Sequence, residues 1–405
     1  MNLLIIRFTR FICNENVING DSLVYDAMIV GAGPAGGMAA RKLAQKGFKV
    51  LILEKKREVG VPVQCGEAIT HFALEENKIP PQKEWIKQKV KGVKPIMPNG
   101  SFFYVKEDGY SIMRDRFDRW IINDAVDRGA VLMTKTRATG LRRIDDKWRV
   151  STATRYFEGQ LLIGADGPSS NVARWLGMLQ SRVYAKAVEY KFRLKDFEFP
   201  EREWLSFFMG SNWNGGYAWV FPRDDEWNVG TGGFRNAPEF MERFLKMLKL
   251  DKHKTIAKIA GLVPRRYSLT SLAQKGLMVA GDAAGMTNPV IGGGTHAALS
   301  SGKHAGDTAV RALENEKPEI TLEYDTKMRS EPYLSPVLFR CADLIGKWTD
   351  ADWNFLGWVM DGRDQSELTF LKGTLCTFKR PRYLLRGREL MLIRKGMRIT
   401  KRYGW

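Results

Sequence analysis

The residues best suited to chemistry form a glycine-bracketed turn, Gly31-Ala32-Gly33-Pro34-Ala35-Gly36, entered directly from the apolar run Ala27 to Val30. A helical pattern follows from Met38 to Lys46, then Gly47, then a second buried-strand run, Val50 to Leu53, which ends on Glu54. In a strand–turn–helix of this kind Gly31 permits the tight turn and Gly33 lets the backbone approach a pyrophosphate. Gly36 lets the helix pack close on the sheet with its N-terminus aimed at the phosphates. Glu54 stands where a carboxylate can accept from both ribose hydroxyls of an adenosine. The glycine spacing alone is weak; the flanking strands and the acid in register predict a dinucleotide site. The alternative is a glycine-rich turn without a ligand.

Further candidates lie apart in the sequence. Cys65 occupies a Pro/Gly loop with Gly60, Pro62 and Gly66; such a cysteine is either a small inert hydrophobe or a group exposed to a ligand. Tyr217, Trp219 and Phe221 alternate, so on a strand all three side chains share one face. That face is an aromatic wall, read either as core or as the lining of an apolar tunnel. Buried-strand runs also lead into the acidic turns Asp166-Gly167 and Asp282-Ala283-Ala284-Gly285.

These residues need a scaffold, and 405 residues with 44% hydrophobic and 27% charged content suffice for a large globular one. No apolar run reaches the length of a spanning helix. The formal charge of +19 points to nucleic acid, an anionic membrane surface or phosphorylated substrates. Its distribution favours a surface: Lys372 to Trp405 holds eleven Lys or Arg against one acid, Glu389. Nucleic acid is not the reading adopted. Four cysteines without C-x-x-C spacing, and four histidines that do not cluster near them, argue against a structural zinc site; no metal is expected. The N-terminal MNLLIIRFTRFIC is apolar and basic but lacks a small-residue cleavage site, so a poorly ordered extension is expected rather than a signal or an interfacial anchor.

Along the chain, Lys83 to Tyr110 reads as strands around a turn at Pro95 to Gly100, and Phe117 to Ala125 as a helix ending at Gly129. Val131 to Met133, Trp148 to Thr152 and Tyr156 to Glu158 read as a small meander. Val183 to Phe234 is strand-rich and aromatic. Pro238 to Ile259 reads as one or two amphipathic helices, Thr295 to Leu313 as a helix, and Thr321 onward as helical.

Three stretches taken together resemble the flavoprotein superfamily of aromatic hydroxylases: GAGPAG with Glu54, GADGPSSNVAR (Gly164 to Arg174) and GLMVAGDAAGMTNPVIGGGTHAAL (Gly276 to Leu299). PVQCGEA (Pro62 to Ala68) and YAWVFP (Tyr217 to Pro222) are similar to the geranylgeranyl reductase family, especially the archaeal digeranylgeranylglycerophospholipid reductases. The resemblance runs from about Tyr25 to at least Tyr324, and only loosely beyond. It implies an α/β (α+β) fold in which a discontinuous Rossmann-like FAD domain (24–82, 111–182 and 265–320) carries an inserted, mostly antiparallel β-sheet substrate domain (83–110 and 183–264). The extension 1–23 and a helical C-terminal region, 321–405, flank them. The cofactor implied is FAD, held by Gly31, Gly33, Ala35, Gly36, Glu54, Lys55, Arg114, Ala138 and Asp166 on its dinucleotide side. Cys65, Gly66 and Ala68 match the loop beside the flavin ring, and Asp282, Gly292, Gly293, Gly294 and Thr295 match the second cofactor loop. Asp282 can hold a ribityl hydroxyl, and the helix opened by Thr295 can face the flavin's O2 edge. Asp166 is also explained by a sheet-end turn. Two positions depart from the family, which often has glycine at Ala68 and aspartate at Asn288.

The activity implied is saturation of isolated carbon–carbon double bonds in a polyprenyl (geranylgeranyl) lipid, with Cys65, Tyr217 and Trp219 as the catalytic candidates. Tyr217, Trp219, Phe221 and Pro222 are expected to bind the substrate. The alternatives are a flavin monooxygenase or halogenase on the same fold, and a non-enzymatic prenyl-protein escort. The electron donor (NAD(P)H, ferredoxin or another reductant) is not legible, since no second nucleotide motif is present. The expected location is cytoplasmic, peripherally on the membrane through the basic tail. Cys341 and Cys376 both stand in the helical end and could meet in a disulfide, as some members of the family have, although a cytosolic setting argues against one.

Overall fold

The computed structural model describes residues 24–360, 362–367 and 387–403. The N-terminal extension and Cys376 therefore lie outside the described residues. Two eight-stranded sheets organise the chain. The first has a parallel core in the spatial order Leu277–Val279, Tyr156–Gly164, Val24–Val30, Val50–Leu53, Val131–Met133. Its central strands are buried on both faces, which is why they read as unbroken apolar runs. Helices Pro34–Ala44, Arg114–Asp127 and Thr295–Glu314 pack on it, and small residues set how closely. A Cβ on Gly302 would lie 2.1 Å from the Ala35 carbonyl oxygen, so the two glycine-entered helices touch backbone to backbone.

The second sheet is mostly antiparallel, in the order Ala257–Leu269, Leu179–Arg193, Glu226–Gly233, Tyr217–Arg223, Trp204–Phe208, Ile86–Ile96, Val105–Ile112, Ala68–Thr70. The α/β fold with a discontinuous nucleotide sheet, an inserted antiparallel sheet and a helical C-terminal region is thus realised. Several details differ from the sequence reading. Ala68–Thr70 pairs with Val105–Ile112, so this piece of the 24–82 segment is a strand of the second sheet. Val131–Met133 is no part of a meander; it pairs parallel with Val50–Leu53. The meander is Gly140–Ile144, Lys147–Ser151 and Tyr156–Gly164. The amphipathic helix spans only Ala237–Met247, and the chain re-enters the sheet at Ala257.

The tail expected to dock on a membrane includes the helix Gly387–Tyr403. Part of its apolar side packs on the fold: Ile393 is buried, and Leu392 and Met397 pack with it against Cys341, Trp348 and Trp353, while Met391 is exposed. Cys341 is a buried thiol that donates to the Leu392 carbonyl (3.1 Å). At the far end Tyr403 stacks on His296 (ring centroids 5.1 Å, planes 19° apart) in the first turn of the Thr295–Glu314 helix. The outward stripe is Arg388, Met391, Lys395, Arg398 and Arg402.

Candidate active site

The glycine turn has the geometry its sequence demands. Gly31 has φ +106°, and a Cβ there would lie 2.2 Å from the Ala165 carbonyl oxygen; on Gly36 it would lie 1.9 Å from the Gly31 carbonyl oxygen. Gly33 is different. Nothing stands within 4 Å of its missing Cβ, which opens into a large cavity between the two sheets. Gly33 also caps the Pro34–Ala44 helix without a side-chain hydrogen bond, so the first-turn N–H groups keep their capacity for an anion. Glu54 ties the turn to the end of its strand: the N–H groups of Ala32 and Lys56 each donate to one of its carboxylate oxygens (both 2.8 Å).

A second glycine-capped helix meets the same cavity. Gly292, Gly293, Gly294 and Thr295 line it, and Gly294 caps the Thr295–Glu314 helix, again with no side-chain cap and no acid in the first turn. Asn288 shapes this loop by accepting from the N–H of Val290 (2.8 Å), while its amide donates to Thr400 (3.3 Å) on the C-terminal helix. Asp282 lines the cavity beside Gly294, and among the described residues its carboxylate has no hydrogen-bond donor. Burial pushes its pKa up to about 6, with Arg114 opposing.

Arg114 crosses the floor. Its Nε and Nη2 hold Asp118 (3.0 and 3.2 Å) and its Nη1 donates to Thr295 (3.2 Å). Burial works against this charge, but Asp118 and Cys65 outweigh it and keep the guanidinium above its ordinary range. Cys65 and Gly66 lie across from the glycine loops, with the Glu67 N–H donating to the Cys65 sulfur (3.2 Å).

The roof is one face of the second sheet. Tyr217 and Trp219 have ring centroids 5.9 Å apart, Trp219 and Phe221 6.0 Å, and Phe207 from the neighbouring strand bridges Tyr217 and Phe221 at 5.0 and 5.1 Å. The Trp219 indole lies over Gly230, where a Cβ would come within 2.1 Å of the ring, and its N–H donates to Asn228 (2.9 Å). The Tyr217 hydroxyl donates to the Ile291 carbonyl, and burial pushes its pKa up to about 12.

Gly33, Ala35, Cys65, Gly66, Ala68, Arg114, Tyr217, Trp219, Phe221, Asp282, Gly292, Gly293, Gly294 and Thr295 therefore line one cavity. Gly31 and Gly36 act behind it by close packing. Glu54, Lys55 and Ala138 gather outside the cavity, where the Thr136 N–H donates to the Glu54 carbonyl (2.8 Å). Asp166 accepts from the N–H groups of Asn171 and Val172 (2.7 and 3.2 Å), which caps the Asn171–Trp175 helix and leaves its buried Oδ1 without a partner. Pro222 is a correction. Alternation turns its ring away from the aromatic face, it is not among the residues lining the cavity, and its carbonyl accepts from Ser111 (2.6 Å).

Arg265 and Glu189 are among the cavity-lining groups that escaped the sequence reading. Arg265 is 6% exposed, its Nε has no partner, and burial lowers its pKa to about 10. Glu189 is 4% exposed, with Oε1 unpartnered and Oε2 accepting from the Asn228 amide (3.2 Å). The signal for it was present: Ala185, Ala187 and Glu189 share strand parity, two small residues and then an acid.

The site fits a flavin dinucleotide on grounds of its own. The space at Gly33, the two uncapped helix N-termini and the donor-less Asp282 match a pyrophosphate, an electron-rich ring edge and a sugar hydroxyl in turn. Among the described residues no cluster of His, Cys, Asp or Glu could hold a metal ion.

Comparison with known proteins agrees with this geometry. The NAD(P)-binding Rossmann-like domain family matches residues 29–71. The digeranylgeranylglycerophospholipid reductase of Methanothrix thermoacetophila is 32% identical over 395 residues, spanning 91% of this chain and 99% of the relative. A solved structure of a geranylgeranyl bacteriochlorophyll reductase-like protein from Thermoplasma acidophilum has a TM-score of 0.80 at 26% identity, covering 91% of this chain and 99% of that one. A variant of the halogenase PltM, solved with FAD, shares the fold, with a TM-score of 0.67 at 14% identity over 83% of this chain and 79% of that one.

Proposed function

The chain belongs to the digeranylgeranylglycerophospholipid reductase family, and from that membership we infer that it is an FAD-dependent reductase that saturates isolated double bonds of geranylgeranyl chains on a glycerophospholipid. The observation that carries this reading is the joining of two unlike surfaces in one cavity. One side offers glycine loops and helix N-termini to a dinucleotide; the facing side is an aromatic sheet surface with room for an apolar chain. Reduced FAD supplies the hydride when bound. The protein's own residues supply placement. Gly33 and the two helix ends would seat the cofactor, Asp282 would hold a hydroxyl of its ribityl chain, and Tyr217, Trp219, Phe221 and Phe207 would lay the alkene beside it and exclude water. Each methylene that the wall buries contributes about 0.8 kcal/mol to holding the chain.

We further propose that the protein works peripherally on the cytoplasmic face of the membrane. No helix among the described residues is long and apolar enough to cross it. The support is the outward stripe Arg388, Lys395, Arg398 and Arg402, which presents charge to anionic headgroups while part of the helix's apolar side packs on the fold. The competing monooxygenase or halogenase reading requires oxygen. Anaerobic reoxidation of the reduced flavin by a geranylgeranyl lipid, with no substrate-dependent oxygen uptake in air, is the expected result; lipid-dependent oxygen uptake without alkene loss overturns the reductase reading.

A further inference from the structure

Saturating an isoprenoid alkene takes a hydride and a proton, and the proton must come from an acid that survives in a dry cavity. The double bond carries no carbonyl that could store negative charge, so proton transfer leads or accompanies hydride transfer. The proton adds at the CH carbon and positive charge grows at the methyl-bearing carbon, where aromatic faces are tolerant neighbours. The acid must therefore be neutral, buried, uncommitted to another partner and close to the aromatic wall.

The cavity's ionisable groups can be taken in turn. Glu67 is 1% exposed but committed: its carboxyl group is paired with Lys191 (2.5 Å) and Arg223 (2.9 Å). Asp282 lies beside the glycine loop of the cofactor half. Cys65 faces Arg114. The Tyr217 hydroxyl is spent on Ile291 and is a weak acid. Arg265 cannot act as an acid near neutrality.

Glu189 is left. In the second sheet it pairs with Gly230, and Gly230 pairs in turn with Trp219, so acid, glycine and indole lie in one line across three strands. The bare glycine lets the indole lie flat between them. Asn228 joins the ends of the line, accepting from the Trp219 indole (2.9 Å) and donating to Glu189 Oε2 (3.2 Å) and to the Gly66 carbonyl (3.4 Å). This leaves Oε1 buried, unpartnered and free to carry the proton into the cavity.

We propose that Glu189 is the proton donor of the reduction, a catalytic residue that delivers its Oε1 proton to the alkene carbon held against Trp219. In the step the π bond, the Glu189 O–H bond and the hydride-bearing N–H bond of the reduced flavin would break, and two C–H bonds form. One uses the carboxyl proton and the other a hydride taken from the reduced flavin, which loses two electrons as the alkene gains them. Glu189 is left as a carboxylate and regains its proton from water before the next turnover.

The surroundings keep the acid charged with its proton at neutrality. Burial comes first, then the Glu67 carboxylate, and together they push Glu189 up to about 8 against the Asn228 amide, Lys191 and Arg223. The acid form therefore dominates below that pH, and turnover falls as pH rises through it.

The inference rests on the reductase reading, so wild-type alkene-dependent flavin reoxidation is measured first; its absence would refute that reading itself. Glu189→Gln keeps an acceptor for Asn228 and removes the acid. It is expected to retain flavin and melting temperature while slowing reoxidation at least about 100-fold, with the alkaline limb near 8 gone from the residual rate. Reoxidation within about threefold of wild type with an unchanged alkaline limb overturns the proposal. An infrared titration of the wild type decides the protonation state without turnover and without dependence on the variant's folding. A buried carboxylic-acid carbonyl band is expected at neutral pH, lost with a midpoint near 8 and shifted in Glu189→Asp; its absence at neutral pH also overturns the proposal.

Discussion

Gly33 and Gly36 stand three residues apart in one turn, yet alanine at each should fail in a different way. A Cβ on Gly36 would lie 1.9 Å from the Gly31 carbonyl oxygen, a backbone atom that moves only if the turn or strand moves. That overpacking should cost about 3 kcal/mol or more. A Cβ on Gly33 meets nothing within 4 Å, and the residue's φ of −78° and ψ of −174° suit alanine. The fold should lose only the difference between glycine and alanine at a helix N-cap, about 0.5–1 kcal/mol. What the new methyl occupies is the space proposed for a pyrophosphate. Displacing two charge-assisted hydrogen bonds of about 1.5–3 kcal/mol each weakens binding by about 3–6 kcal/mol, or roughly 100- to 10,000-fold. Thermal melts of the flavin-free proteins and calorimetric titration with FAD separate the two effects. The expected pattern is Gly33→Ala stable but flavin-deficient and Gly36→Ala destabilised. A Gly33→Ala protein that binds FAD within about threefold of wild type would refute the cradle, and a Gly36→Ala protein that melts like wild type would refute the packing argument.

Other predictions follow from the same geometry. Asp282 is pushed up to about 6, so a flavin hydroxyl that donates to its carboxylate should bind more weakly as pH falls below that value; titrating FAD from acid to neutral pH should show affinity rising with pH, and Asp282→Asn should flatten the profile. Gly230→Ala drives a Cβ to within 2.1 Å of the Trp219 ring and should cost about 1–3 kcal/mol with loss of long-chain turnover. Gly232→Ala, with its nearest neighbour at 3.7 Å, should stay within about 0.5 kcal/mol; equal melting temperatures for the pair would contradict this. Reversing Arg388, Lys395 and Arg398 to Glu should remove at least about 3 kcal/mol of attraction to anionic vesicles at low salt, and cosedimentation unchanged by those substitutions would show that the stripe is only a solvated face.

The cofactor half of the site was largely legible because its determinants are local. Strand, turn, helix, strand and acid follow one another from Tyr25 to Glu54, and Gly36 answers to the Gly31 carbonyl a few residues away. The aromatic wall was legible by parity, and the same parity rule excludes Pro222, which the family motif had carried into the site. Glu189 left only the shared parity of Ala185, Ala187 and Glu189 as a local trace, and which way it and Arg265 face is set by which strands lie beside them. The docking of the C-terminal helix was hidden for a related reason. Its alternating cations and apolar residues suit an interfacial anchor, but Ile393, Leu392 and Met397 find a partner surface around Cys341, Trp348 and Trp353 that no local pattern announces. That docking also means truncation cannot isolate a membrane role, since Tyr403 and Thr400 brace His296 and Asn288 beside the cavity.

The account stands or falls on the fate of the double bond. The most direct measurement is a single anaerobic turnover: FAD-loaded protein, reduced stoichiometrically, is mixed with a digeranylgeranyl glycerophospholipid, and the lipid is weighed by mass spectrometry while flavin absorbance is followed. The predicted result is one saturated carbon–carbon bond, seen as the mass of one added hydrogen molecule, for each flavin reoxidised. Flavin that stays reduced beside unchanged lipid, or lipid that gains mass only when oxygen is admitted, would contradict it.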